Sequence, residues 1–136
     1  MLGTGLSSAI GHSILIVGLA ASVFGAFALA TGTALRNERV QRAVHLYGFI
    51  ALAAAVGAVV LMERGLITRD WSLAYVQKVG SRHTPPLFNF TALWSALEGS
   101  ILLWLLLLAM YLIIVLRKYK ARLTDPLISW TAVVMF

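Results

Sequence analysis

Trp94-Ser95-Ala96-Leu97-Glu98-Gly99-Ser100-Ile101-Leu102-Leu103-Trp104 sets an acid at the head of an apolar run that continues to Leu116. A carboxylate beside a segment able to enter a bilayer is costly, so its position needs a reason. Two readings of Glu98 stay open, and they are compatible. Ser95-Ala96-Leu97-Glu98 matches the S-x-x-E capping box, in which Ser95 caps a helix and Glu98 reaches back to the cap's backbone N–H. The helix then covers residues 96–116, about the 20 residues of one membrane span. Glu98 falls in its first turn, where the helix dipole favours an anion. The functional reading has Glu98 pairing with a cation at the outer face, or orienting a ligand through a partner. Trp94 and Glu98 are four apart and share a face if one helix holds both. Trp104 lies one to two turns deeper. Both indoles read first as belt and packing residues at the membrane interface.

The rest of the chain extends this picture. Of the 136 residues, 60% are hydrophobic and 12% charged. Soluble domains hold about 45–50% apolar and about 25% charged residues. The apolar residues come in long runs, which places the chain in the membrane class. The expected fold is all-α: a polytopic helical membrane protein with three full transmembrane helices and the start of a fourth. The spans read as residues 10–31, 44–62 and 96–116, with a truncated fourth over 127–136 and an outer loop over 63–87. The fourth run has only ten residues, so the sequence reads as the amino-terminal transmembrane region of a longer protein.

A signal peptide competes for the first run, because Ala28-Leu29-Ala30 resembles a cleavage site. A retained helix is favoured: residues 1–8 carry no Lys or Arg, and the run is too long for an h-region. Gly11, Gly18, Gly25 and Gly32 recur every seven residues. On a helix they drift only about 20° per heptad, so they share a face. Ala51 with Ala55, Ala53 with Gly57, and Ala54 with Ala58 give the second run small-xxx-small pairs. Small residues let helix backbones approach closely in lipid. An antiparallel hairpin of the first two helices is therefore expected.

Asp70-Trp71-Ser72-Leu73-Ala74-Tyr75-Val76 fits either an alternating strand-like piece or a short interfacial helix capped by Asp70. Ser81 to Pro86 reads as an irregular turn. Pro126 opens the fourth run at a position suited to a first helical turn.

The net charge of +6 does not point to nucleic acid. Seven of the eleven Lys and Arg sit in two short loops between apolar runs, Arg36, Arg39 and Arg42, then Arg117, Lys118, Lys120 and Arg122, while Arg64, Arg69, Lys78 and Arg82 are spread over the longer loop 63–87. Positive-inside reasoning puts the two short loops in the cytoplasm. The amino terminus and loop 63–87 then lie outside, on the periplasmic side of a bacterial inner membrane.

No cysteine is present, which excludes a thiolate site or a C-x-x-C-H haem attachment motif in this chain. No nucleophile triad, zinc motif, phosphate loop or glycine fingerprint occurs, so no catalytic or metal-binding residue is assigned. Each of His12, His45 and His83 is a residue type that can ligate haem iron. In the expected topology His12 and His45 lie at opposite faces and cannot share one iron, and His83 reads as a surface loop residue.

The pattern W-S-x-x-E-G-S-I-L-L-W over Trp94 to Trp104 resembles the CcmF/NrfE family of cytochrome c-type biogenesis proteins, which are multi-spanning haem lyase subunits. Gly11-His12 at the first span, the Asp70 to Val76 segment and the Pro-containing return to the third span are similar too. Leu97 departs from the pattern, since many members carry histidine before Glu-Gly-Ser. The residues that match are Trp94, Glu98, Gly99, Ser100 and Trp104. The resemblance implies cytochrome c assembly: haem is handled at the outer face and its vinyl groups are joined to apocytochrome c. It also implies haem b in the full-length protein, with ligands beyond residue 136, and partners among apocytochrome c and other maturation membrane proteins. A transporter or channel subunit using Glu98, and a structural membrane subunit of a respiratory complex, are the alternatives.

Overall fold

The computed structural model describes residues 4–35, 37–68, 73–79, 88, 91, 93–94, 97–123 and 125–136. Its elements are α1 (Thr4–Ala34), α2 (Glu38–Thr68), α3 (Ala74–Val79), α4 (Leu97–Lys118), a 3₁₀ turn (Lys120–Arg122) and α5 (Pro126–Met135). Three stretches are long and apolar enough to cross a membrane: Ser7–Ala34, Arg42–Thr68 and Gly99–Lys118. The all-α polytopic membrane fold is thus what the chain adopts. α5 is a shorter apolar helix.

Helices dominate because a bilayer core offers no water to unpaired backbone groups. The hydroxyls inside the spans follow the same rule by bonding back to their own helices. Ser13 Oγ donates to the Ala9 carbonyl at 2.9 Å, Thr33 Oγ1 to Leu29 at 2.7 Å, and Thr131 Oγ1 to Leu127 at 2.8 Å.

α1 and α2 form the antiparallel hairpin, and the glycine heptad explains its closeness. A Cβ on Gly11 would meet Leu61 Cδ2 at 3.2 Å, and one on Gly18 would meet Ala54 Cβ at 2.9 Å. Gly57 in turn faces Ile14. Partner numbers fall on one helix as they rise on the other, which is the register of an antiparallel pair. Further along the same seam Gly25 accommodates the Phe136 ring.

α2 also packs on α4, and α5 docks on α1 and α4. One buried cluster, Leu29, Val44, Leu112, Leu116, Leu123 and Ala132, closes the end of the bundle where the two basic loops lie. A second, Leu66, Leu73, Val76 and Leu93, closes the opposite end.

α2 runs to Thr68, so Glu63 and Arg64 are helical rather than part of a loop beginning at residue 63. At about 1.5 Å per residue its 31 residues span about 46 Å, against a hydrocarbon core of about 30 Å. Of the two readings for the segment after Asp70, a short helix holds over Ala74–Val79. Asp70, its expected cap, and the turn at Pro85 and Pro86 lie outside the described residues.

α5 begins as its sequence requires. Asp125 Oδ1 accepts the Leu127 N–H at 3.0 Å, and Pro126 occupies the first turn. Ser129, buried one turn on, donates its hydroxyl to the Leu123 carbonyl and ties α5 to the loop before it.

Candidate functional site

The start of α4 positions the residues singled out above. The backbone of Glu98 is helical and belongs to Leu97–Lys118. Its side chain, and the Ser95 half of the capping box, lie outside the described residues. Gly99 is buried, and Ser100 Oγ donates to the Leu97 carbonyl at 2.9 Å. Trp94 is locally helical and half-exposed. Whether one helix carries both Trp94 and Glu98 turns on residues 95 and 96, which are not among those described.

Trp104 is 66% exposed and stands in an outward stripe with Leu97, Ile101, Leu108 and Tyr111. That spacing of three and four residues marks one helical face. Ala109, Leu112, Ile113 and Leu116 form the opposite, buried face against the bundle. α4 therefore leaves exposed an apolar, aromatic stripe, of which Leu108 also lines a cavity shared with α1, α2 and α5.

The same end of the bundle holds a residue that sequence reasoning missed. Glu63, in the last turns of α2, has its Oε2 buried with no hydrogen-bond partner among the described residues. The signal was present: Val59, Met62 and Leu66 continue the helical apolar period past residue 62 and line the second buried cluster. A helix read to Leu66 would have placed Glu63 within it.

The described histidines lie at opposite ends of the hairpin. His12, near the start of α1, donates Nδ1–H to the Ser8 carbonyl at 2.9 Å. His45, near the start of α2, donates Nε2–H to the Leu116 carbonyl of α4 at 3.1 Å. Each ring is thus held by a backbone carbonyl, and the two cannot ligate one iron. His83 lies outside the described residues. Among those described, no group of three or more His, Cys, Asp or Glu side chains comes together. The described residues do not make a haem pocket, so no chemical step is assigned to them.

No family model matches the chain. Three curated relatives do. It is 25% identical over 100 residues to the cytochrome c-type biogenesis protein CcmF of Escherichia coli, covering 74% of this chain and 16% of that protein. It is 34% identical over 96 residues to ccl1 of Rhodobacter capsulatus, covering 71% and 13%. It is 28% identical over 104 residues to CycK of Bradyrhizobium diazoefficiens, covering 74% and 15%. Among solved structures, cytochrome c haem lyase CcmF superposes with a TM-score of 0.80 at 30% identity, over 95% of this chain and 23% of that one. The chain thus spans about one sixth or less of the length of its curated relatives. With the spanning helices, the α4 motif and a likeness extending over nearly its whole length, the chain belongs to the CcmF family of cytochrome c-type biogenesis proteins.

Proposed function

We propose that this chain forms a helical membrane scaffold of a cytochrome c haem lyase subunit, with the start of α4 at the face where haem meets apocytochrome c. The observation that carries the reading is the likeness to a cytochrome c haem lyase over 95% of the chain. The haem and the apocytochrome are the substrates. In the attachment each C-x-x-C-H thiol adds across a haem vinyl group, the S–H hydrogen going to the other vinyl carbon, so no leaving group is needed. The role of this chain is positioning: α1 and α2 make a rigid hairpin, and α4 leaves Trp104 exposed.

Orientation follows from charge. Arg39 and Arg42, with Arg117, Lys118, Lys120 and Arg122, gather at one end and belong on the cytoplasmic side of the bacterial inner membrane. The α4 start then faces the periplasm, together with Trp94, Glu98, Gly99 and Ser100. Partner maturation proteins meet the chain within the membrane or at that outer face.

The test is the absorption spectrum of the full-length protein purified in a form active in maturation. Haem bands in the active preparation are expected. Active protein without haem overturns the reading. Ion-dependent transport that falls in Glu98→Gln would favour a transporter instead.

A further inference from the structure

The basic end of the bundle holds a cavity that the haem reading does not use. It has a volume of about 470 Å³ and is lined by Arg42, His45 and Lys120. Arg42 and His45 come from the first turns of α2, and Lys120 from the 3₁₀ turn after α4. The hydrogen bond from His45 Nε2 to the Leu116 carbonyl, across 71 residues of sequence, holds these two elements together at 3.1 Å. Two neighbouring cations face aromatic rings and not the cavity. Arg117 lies over the Phe49 ring at 5.2 Å from its centroid, and Lys118 over Tyr119 at 5.7 Å. Asp125, the acid at this end whose side chain is described, accepts the Leu127 N–H.

Depth decides the ligand class. The apolar span of α2 begins at Arg42, and that of α4 ends at Lys118. The cavity therefore sits at the level of lipid headgroups, between two helices, and is lined by nitrogen-bearing side chains. Basic pockets between transmembrane helices at this depth match phosphate headgroups.

We propose that Arg42 and Lys120 form a binding site for the phosphate of an anionic phospholipid, while His45, through its bond to the Leu116 carbonyl, holds the start of α2 against the end of α4 so that the two cations face one cavity. A fixed site differs from the general attraction of a basic surface, because only residues lining the cavity serve it. The proposal stands whichever face of the membrane this end occupies, and it is independent of the haem reading.

The experiment uses the full-length protein in nanodiscs of mixed phosphatidylglycerol and phosphatidylcholine, with retained lipid counted by native mass spectrometry. Retention of phosphatidylglycerol over phosphatidylcholine is expected. A charge-assisted hydrogen bond to phosphate is worth about ten-fold or more in affinity, so R42A/K120A should lose about 100-fold. R42K/K120R should retain binding, which separates lost charge from lost fold. K118A/R122A removes the same charge from the same end without opening the cavity, and should retain the lipid. Equal losses in the two alanine pairs would mean diffuse attraction and overturn the site. So would the absence of any phosphatidylglycerol preference, or its complete displacement by millimolar inorganic phosphate, which would mark a free-phosphate site.

Discussion

Gly18→Ala and Gly57→Ala form a matched pair on the α1–α2 seam, with opposite expected outcomes. A Cβ on Gly18 would lie 2.9 Å from Ala54 Cβ. Carbon atoms pack best at about 3.5–4.0 Å, so the helices must part by about 0.6–1.1 Å. Neither atom ends a flexible side chain, so no rotamer change relieves the clash. Overpacking of this kind costs about 1–3 kcal/mol. A Cβ on Gly57 would meet Ile14 Cδ1 at 3.6 Å and Cγ2 at 3.7 Å, which is ordinary contact. There the substitution adds packing and gains up to about 1 kcal/mol of helix propensity. The helix-propensity gain is common to both substitutions and cancels, so the two variants should differ by about 1–3 kcal/mol, with Gly18→Ala the less stable. The chain has no cysteine, so a cysteine placed on each helix, with any cysteine elsewhere in the full-length protein replaced, allows a steric-trapping measurement of hairpin stability. Equal stabilities, or Gly18→Ala the more stable, would refute the close-approach geometry and the register built on it.

Other outcomes follow from single contacts. Asp125→Ala removes the acceptor for Leu127 N–H and should weaken the α5 start by about 0.5–2 kcal/mol; hydrogen exchange there should speed up, while Asp125→Asn stays near wild type. Glu63→Gln replaces a carboxylate whose Oε2 is buried without a described partner. Because an unpaired charged group is the costlier one to bury, thermal stability should stay level or rise, and a clear fall would show that Glu63 has a partner. Glu98→Gln keeps the capping pattern, since glutamine serves at that position. Its stability should therefore stay within about 0.5 kcal/mol of wild type, while the holocytochrome c yield falls several-fold. An unchanged yield would reduce Glu98 to a cap.

The membrane architecture was legible because the spans are written as long apolar runs, and the α5 start because Asp125-Pro126 names its own cap and first turn. The seam was legible through the seven-residue glycine spacing, which needs no knowledge of the partner helix. The outer end of α2 was not, because Glu63-Arg64 looks like the edge of the bilayer while the helix simply continues to Thr68. The meeting of Arg42, His45 and Lys120 was also invisible, since it depends on how α2 and α4 cross rather than on any local pattern. At α4 the capping motif falls on residues 95 and 96, outside those described, and the exposure of Trp104 needed the packed bundle to define it.

The most direct measurement is the amount of covalently attached haem on c-type cytochromes in cells lacking the full-length protein that carries this chain. The account predicts its loss, and its recovery when the gene is restored. Undiminished holocytochrome c in the deletion strain would contradict it.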